Sequence, residues 1–339
     1  MASFVPDPSR HVPISPDLKC GEEWITSDHE AYCDEESDED HYGQINFYMS
    51  LPHANNMKLI FNCRDKSSGV LLDSEPKVSK SEAEDNHVAN PFFFEKSYSL
   101  EAATGFQPWP GSRLMVEAFT CDMKSEKTDY WQERLSNKDL SILEVGAGVG
   151  MVGVALAAAG GRVIISDLPV LTKHGIIPNL KRNGQHCEDP SQKDLGLIET
   201  SECFRIGRGY AQATVLDWTK AVSEQLPQTT SSNLDVIVGC DCLFLRKLVD
   251  PLLSIVSTLF EQTPKCKFLF TYQRRNMMGL FIGLEELLKR IDQRGWSVEC
   301  LAWRTIHVED DGEHELYLFE ASPTLDKDLQ EEKKDDAST

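Results

Sequence analysis

The sequence lacks the features of a membrane protein and of a metalloprotein. No apolar run approaches the roughly 18 residues that a membrane helix needs, and the first 17 residues have neither the basic segment nor the apolar stretch of a signal peptide. The ten cysteines include no CxxC pair, and the scattered histidines show no ligand spacing. We therefore predict buried thiols, no metal site and no membrane contact, in a protein of the cytoplasm and, as an alternative, also of the nucleus.

Basic residues are scarce as well. The chain has 34 Lys and Arg against 55 Asp and Glu, which gives a net charge of −21. Residues 21–40 contribute −10 and residues 321–339 contribute −3, so the remaining 300 residues carry only −8. An acidic body argues against non-specific binding of nucleic acid, which needs cations facing phosphates. The acidic runs are typical of solvated disorder, and steering of a basic partner is the alternative.

What the chain does have, from about Ser141 onward, is apolar strands that alternate with helical segments. This pattern predicts an α/β fold with a doubly wound, seven-stranded and mostly parallel sheet. Helices are expected to start at Met151, Val170, Arg246 and Met277, and the last two strands form an antiparallel edge hairpin. The predicted strands are SILEVG, RVIISD, ATVLDW, LDVIVGCD, CKFLFTYQ, SVECLAW and HELYLFEA.

The rest of the chain divides by composition. Residues 1–43 are predicted to be disordered, and residues 44–100 to form a small β-rich layer with strands INFYMS, MKLIFNC and NPFFFEKSYSL. The sheet domain then spans 101–322, followed by a disordered tail at 323–339. Within the domain, Cys187–Gly209 reads as an irregular insertion. We expect a monomer.

The stretch Leu143–Gly153, LEVGAGVGMVG, joins a strand to a helix through a glycine-rich bend. Such a bend suits either a nicotinamide dinucleotide or S-adenosylmethionine, since Gly148–Gly153 also fits G-x-G-x-x-G and Asp167 ends the next strand. Glu144 stands two residues before the first glycine. A carboxylate there suits a positively charged sulfonium and is awkward beside a pyrophosphate, so S-adenosylmethionine is favoured.

The longer stretch LEVGAGVGMVGVALAAAGGRVIISDLP resembles the first motif and second strand of class I, seven-β-strand methyltransferases. More narrowly, the chain resembles the protein-lysine methyltransferases that include calmodulin-lysine methyltransferase. That resemblance covers roughly residues 100–320. The stretches that carry it are TGFQPWPGSRLMVEAF, VLDW and DVIVGCDCLFLRKLVDPLL.

The resemblance implies roles for the residues that match these motifs. The glycine loop is expected to hold the methionine part and ribose, Asp167 the ribose hydroxyls, and Asp217 with Trp218 the adenine. Trp109 is expected either to pack near the cofactor mouth or only to hold the preceding helix in place. The alternative for Trp218 is an aromatic residue of the core. The cofactor residues are thus predicted to be Trp109, Glu144, Gly146, Gly148, Gly150, Asp167, Asp217 and Trp218.

On the substrate side, Asp241 and Phe244 match the D-x-x-Y/F motif of the family. Asp241 ends the fourth strand, where open α/β sheets bind ligands, and could orient a lysine amine. Phe244 could form an aromatic wall for the lysine stem and cation, although the family usually has Tyr there. The alternative for Asp241 is a strand-end cap.

The leading hypothesis is therefore an S-adenosylmethionine-dependent methyltransferase acting on a lysine of a protein substrate. Protein histidine or arginine and small molecules remain alternative acceptors. Nucleic-acid amino groups are less favoured, because DCLF lacks the prolines of the (D/N)PPY loop. Outside this class, a nicotinamide-dependent oxidoreductase and a non-catalytic binding module stay open.

Overall fold

The computed structural model places the strands in two sheets. The N-terminal sheet has three antiparallel strands, β1 (Lys19–Trp24), β2 (Gln44–Leu51) and β3 (Met57–Arg64), in that order. The two strands predicted next to each other from Gln44 onward are confirmed, and the predicted strand at 90–100 lies outside the described residues. The structure describes residues 4–24, 44–52, 57–64, 104–137, 140–187, 198, 202–274, 279–308 and 312–324.

The strands of the central sheet are β4 (Ser141–Val145), β5 (Arg162–Asp167), β6 (Gln185–His186), β7 (Cys203–Ile206), β8 (Gly209–Val215), β9 (Val236–Gly239), β10 (Lys267–Gln273), β11 (Trp296–Val308) and β12 (Gly312–Pro323). This sheet is doubly wound, with strand order β11-β12-β10-β9-β4-β5-β8-β7-β6. The five strands from β10 to β8 are parallel, and the strands on either side of them pair antiparallel. All seven predicted strands are present, including the edge hairpin of β11 and β12.

The described part of this sheet has nine strands, so the predicted count of seven is wrong. The segment Cys187–Gly209, predicted to be irregular, contains β7, which pairs with β8 across a turn at Gly207, and β7 in turn pairs with the short β6. Strands of two and four residues are too short to show a period-2 pattern in the sequence. Pairing with the edge of the existing sheet is what makes them strands.

Helices cover both faces of the central sheet. The predicted helices after β4, β5 and β9 are found, whereas the one expected from Met277 begins only at Leu284. In the part of the chain that the structure describes, no helix is both long and apolar enough to cross a membrane. The principal helices are α1 (Pro110–Thr120), α2 (Glu126–Ser136), α3 (Met151–Ala159), α4 (Ile177–Asn183), α5 (Arg246–Gln262) and α6 (Leu284–Asp292).

The N-terminal sheet is attached to α4 through two asparagines. Asn183 exchanges two hydrogen bonds of 2.8 Å with the backbone of Ile60, and Asn179 Oδ1 accepts the Asn62 N–H at 2.8 Å. The spacing of four residues places both amides on one helix face, where they occupy the outer edge of β3 as another strand would. Asn179 also donates to the carbonyl of Val149 at 3.0 Å. Asn179 therefore links the small sheet to the glycine-rich bend.

Residues 4–18, here called the N-terminal strap, are ordered along the edge strand β11, so the prediction of disorder over residues 1–43 is wrong for residues 4–24. The Val12 N–H donates to the Trp303 carbonyl, and the Trp303 indole donates to the Asp7 carbonyl, both at 2.9 Å. Phe4 packs edge-on against Phe319 with ring centroids 5.7 Å apart. The strap thereby covers part of an edge that would otherwise expose unpaired backbone groups.

A buried ionic cluster joins the strap to the domain. Glu117 of α1 is fully buried and accepts hydrogen bonds from Arg304 of β11 and from Arg113 Nε, the latter at 2.8 Å. The same glutamate accepts the Ser15 N–H at 3.3 Å, and Arg113 also donates to the Leu18 carbonyl at 2.9 Å. Removing one partner of such a cluster leaves buried charge uncompensated. The strap is therefore part of the folded core.

Deletion of residues 1–18 is expected to lower Tm by roughly 5 °C or more, because it exposes the core around Leu18 (1% exposed) and removes strap contacts to Glu117. Thermal unfolding followed by circular dichroism measures this. Val5→Ala is the matched control, since Val5 is 80% exposed and should be neutral. An unchanged Tm in the deletion variant would contradict the docking of the strap.

Candidate active site

A cavity of about 390 Å³ opens at the carboxyl ends of the parallel strands. Its walls come from the segments that follow β4, β5, β8 and β9 and from residues 104–112, which lead into α1. β5 and β8 lie on one side of β4, and β9 and β10 lie on the other, so the strand order reverses at β4. Open α/β sheets bind ligands at this position. Nine of the ten predicted site residues line this cavity: Trp109, Glu144, Gly146, Gly148, Asp167, Asp217, Trp218, Asp241 and Phe244.

The glycine-rich bend follows β4 and needs its glycines for the backbone. Gly146, Gly148 and Gly150 all have positive φ, at 65°, 58° and 77°, a region that side chains with a Cβ rarely adopt. Gly150 is the predicted residue that does not line the cavity. It begins α3, and a methyl group there would point to Ile165 and Ile176. Its place in the structure is the turn behind the cavity wall.

The packing of the neighbouring chain leaves no room for a side chain at Gly148. A methyl group at this position would overlap the Gly105 carbonyl, so the bend packs directly on the segment that precedes α1. Its N–H donates to Asp167 Oδ2 at 2.7 Å. A bulky residue at position 148 would therefore disturb the loop itself. A substitution there could not distinguish a loss of ligand binding from a loss of folding.

Two buried carboxylates lie under the bend. The pKa of Glu144 is raised to about 8, chiefly by burial. The Gly153 N–H, which Glu144 accepts at 2.8 Å, opposes this rise, and the nearby Asp167 adds to it. Burial likewise raises the pKa of Asp167 to about 6, although the N–H groups of Gly148 and Leu168 stabilise its charge. A cation in the cavity would relieve both shifts, whereas a pyrophosphate would meet repulsion. The cradle thus fits S-adenosylmethionine better than a nicotinamide dinucleotide.

Asp217 and Trp218 follow β8. Asp217 Oδ1 accepts the backbone N–H of Thr219 at 3.0 Å and its hydroxyl at 2.7 Å, and Lys220 lies 3.3 Å from Oδ2. Although burial opposes ionisation, these contacts hold the pKa of Asp217 below its ordinary value. Trp218 lies over Gly146, where an added methyl group would be 2.9 Å from the indole. The two residues form one rigid wall, and their contact with adenine stays a prediction.

Trp109 adjoins both α1 and the cavity. It immediately precedes Pro110, the first residue of α1, and its indole donates to the Thr104 carbonyl at 2.9 Å. It also lines the cavity. The indole is therefore held by the segment before α1 and borders the cavity, and its contact with the cofactor stays a prediction.

Asp241 and Phe244 line the same cavity. Asp241 is 7% exposed, and its Oδ2 accepts the Gly111 N–H at 2.7 Å. The ring of Phe244 stacks on Phe281, with centroids 6.0 Å apart and ring planes at 24°. A carboxylate and an aromatic pair are thus placed beside the acidic cradle.

Several lining residues were not predicted. Cys240 and Cys242 flank Asp241, and burial raises the pKa of both thiols well above the ordinary value, so they stay protonated. Lys247, Leu248 and Pro251 of α5 complete the wall. These three residues lie inside the stretch DVIVGCDCLFLRKLVDPLL, in which roles are predicted only for Asp241 and Phe244. The docking of α5 brings its first turns to the cavity. Over the described residues, no group of three His, Cys, Asp or Glu could hold a metal ion.

The position of the cavity, its glycine bend and its two buried acids are those of an S-adenosylmethionine-dependent methyltransferase. Comparison with known sequences agrees. The chain belongs to the lysine methyltransferase family, whose sequence pattern matches residues 97–194 and 199–284. The predicted class and methyl donor, S-adenosylmethionine, are thereby confirmed.

Curated relatives are similar at modest identity. Mouse histone-arginine methyltransferase METTL23 is 26% identical over 202 residues, which is 60% of this chain and 63% of that protein. The rat protein of the same name is 28% identical over 58% of this chain and 70% of its own length. Mouse EEF1A lysine methyltransferase 3 is 41% identical, but over 18% of this chain and 26% of its own.

Solved structures of methyltransferases were also found. Magnesium protoporphyrin IX methyltransferase from Synechocystis, with bound S-adenosylhomocysteine, aligns with a TM-score of 0.37 and 12% identity over 68% of this chain and 96% of that one. An S-adenosylmethionine-dependent methyltransferase from Methanosarcina mazei aligns with a TM-score of 0.36 and 11% identity, over 56% of this chain and 94% of that one.

Proposed function

We propose that this protein transfers a methyl group from S-adenosylmethionine to the side-chain amine of a lysine in a protein substrate. The observation that carries the proposal is that Asp241 and Phe244 share one cavity with the acidic glycine cradle. A donor site and an acceptor site that open into each other are what an in-line displacement requires, because positioning supplies much of its rate.

Asp241 is proposed as the group that orients the amine. A carboxylate near an amine favours the charged, non-nucleophilic ammonium form, so Asp241 suits positioning better than proton abstraction. The amine nitrogen must lose its proton before its lone pair forms the new N–C bond. S-adenosylmethionine, when bound, supplies the methyl group from its sulfonium, whose C–S bond breaks.

Arginine is the second candidate acceptor, because the relatives with the longer alignments are named histone-arginine methyltransferases. The contacts of Asp241 favour lysine. One of its two carboxylate oxygens accepts the Gly111 N–H, which disfavours the parallel two-bond pairing that a guanidinium makes. An amine needs only a single N–H···O contact. The stacked rings of Phe244 and Phe281 suit the straight aliphatic stem of lysine.

A basic protein is the proposed class of substrate. The net charge of −21 gives the chain a negative field that attracts cationic partners, and the effect weakens as salt screens it. The printed names of the relatives include a histone-directed enzyme, which agrees with a basic substrate.

Incubation of the purified protein with methyl-labelled S-adenosylmethionine and a cell extract is expected to label a protein band. Tandem mass spectrometry of that band should place the added methyl group on a lysine. A matched reaction with the Asp241→Asn variant is the control for background labelling. Methylarginine or methylhistidine at the labelled site would overturn the lysine assignment, and label confined to small molecules would overturn the protein substrate.

A further inference from the structure

The residue at the centre of the acceptor site has an uncommon backbone. Asp241 has a φ of 50°, and the described residues include only one other non-glycine residue with positive φ, Lys124 at 53°. Left-handed backbone costs energy in residues that have a Cβ, and it persists where neighbouring groups hold it. The conformation lies directly after β9, so it turns the carboxylate out of the strand direction and toward the start of α1.

Two groups hold this conformation from outside the strand. The Asp241 N–H donates to the Thr271 hydroxyl oxygen at 3.0 Å, and Thr271 lies fully buried on the neighbouring strand β10. The Asp241 carboxylate accepts the Gly111 N–H at 2.7 Å. Backbone and side chain of the same residue are therefore fixed by two different elements.

Asp241, Thr271 and Gly111 are tightly packed against one another. A methyl group on Gly111 would overlap both the Thr271 hydroxyl and Asp241 Oδ2. Gly111 stands in the first turn of α1, where backbone N–H groups have no partner within the helix and favour a negative charge. Only glycine lets this turn approach close enough to donate to the carboxylate.

We infer that Thr271 and Gly111 are positioning residues for the acceptor site, which together hold Asp241 in its left-handed conformation with the carboxylate aimed into the cavity. The inference rests on the proposed role of Asp241 in orienting the acceptor amine. Neither residue needs to touch the substrate. Loss of either contact lets the backbone of Asp241 relax, and the carboxylate then moves away from the position that aligns the amine.

Thr271→Val keeps the shape of the side chain and removes the acceptor for the Asp241 N–H. We expect kcat to fall about tenfold, the scale of a small misplacement of a catalytic group, while the Kd for S-adenosylmethionine stays unchanged. Thr271→Ser restores the hydroxyl and should restore kcat. Thr128→Val is the matched control, because Thr128 is equally buried and donates its hydroxyl to the Ser125 carbonyl far from the cavity.

Gly111→Ala tests the other contact. It should lower kcat as well, whereas Gly283→Ala should not, since no described atom lies within 4 Å of a methyl group there. A kcat for Thr271→Val equal to that of Thr128→Val, or a kcat not restored by Thr271→Ser, would overturn the positioning role.

A crystal structure of the Thr271→Val variant gives a reading that is independent of turnover. We expect the φ of Asp241 to leave the left-handed region and the Gly111–Asp241 contact to lengthen from 2.7 Å. If both stay as they are, the inference is wrong whatever the activity. If the structure changes as expected but the wild-type protein methylates no protein, the proposed function is wrong. The conclusion that Thr271 and Gly111 hold the conformation of Asp241 is then still supported.

Discussion

Asp241→Asn should lower kcat on the order of 100-fold, about 2.7 kcal/mol of transition-state stabilisation, with little change in Tm or in the Kd for S-adenosylmethionine. The amide keeps an oxygen that can accept the Gly111 N–H, and asparagine tolerates a φ of 50° as aspartate does. What the variant loses is the negative charge that holds the acceptor amine. The loss should therefore fall on turnover.

Asp241→Ala separates this catalytic role from a structural one. Alanine cannot accept the Gly111 N–H and is disfavoured in the left-handed region, so this variant should lose both turnover and stability. Steady-state kinetics with the identified substrate and thermal unfolding measure the two effects. Near-normal turnover in Asp241→Asn, or unfolding of that variant, would show that Asp241 is only the cap of β9.

Glu144→Gln should stabilise the protein at pH 8 by roughly 3–5 kcal/mol and weaken its binding of S-adenosylmethionine at the same pH. Burial, with a smaller contribution from Asp167, raises the pKa of Glu144 from 4.5 to about 8, against the opposing Gly153 N–H. The glutamine amide oxygen can still accept that N–H. The folded protein then no longer carries a buried charge when no ligand is bound.

The direction of the pH dependence follows from the raised pKa. Between pH 4.5 and about 8 the unfolded chain has released the Glu144 proton while the folded protein retains it. The folded state binds more protons than the unfolded state in this window. The contribution of Glu144 to the free energy of unfolding therefore falls as pH rises. Asp167 acts in the same direction between pH 3.8 and about 6. The difference between wild type and Glu144→Gln should therefore be small at pH 5 and largest at pH 8.

Binding has the opposite dependence. A sulfonium cation is stabilised by ionised Glu144, so the affinity of the wild type for S-adenosylmethionine should rise from pH 6 to pH 8, and that of Glu144→Gln should rise less. The sulfur of S-adenosylhomocysteine is neutral. The affinities of wild type and Glu144→Gln for this ligand should therefore differ less than their affinities for S-adenosylmethionine. Calorimetric titration and urea unfolding across this range measure both trends.

Glu261→Gln, at an exposed position, is the matched control and should change neither stability nor affinity. Equal pH profiles for wild type and Glu144→Gln would mean that Glu144 is not the buried carboxylate that responds to the cofactor.

In the acceptor site, local sequence features predict some of the residues, and contacts between distant segments supply the others. Asp241 and Phe244 are predicted from the four-residue motif D-x-x-Y/F, because a strand that ends at a sheet edge and the loop after it are local features. Thr271 was missed because its contact with Asp241 crosses from β9 to β10, 30 positions along the chain. Gly111 was missed for the same reason, since its partner lies 130 positions away.

The N-terminal strap was predicted wrongly because its composition is polar and rich in proline, which is typical of disorder. Its order comes from Trp303 on β11, Glu117 on α1 and other partners that are far away in the sequence and lie on different elements. Gly150 was assigned to the cofactor because the motif includes it. The structure places it outside the cavity lining, at the N-cap of α3, in a left-handed conformation that glycine adopts without strain.

The sequence by itself determined the α/β class, the parallel strands and their alternation with helices, since hydrophobic periodicity and glycine positions are local. It also determined the chemical character of the site, because Glu144, Asp167 and Asp241 each end or follow a predicted strand and parallel strands end at one edge. The tertiary structure decided how these acids are used. Burial under the bend sets the pKa of Glu144 and Asp167, and contacts across the sheet hold Asp241. Burial and contacts between distant segments arise only when the chain is folded, so no local pattern in the sequence can encode them.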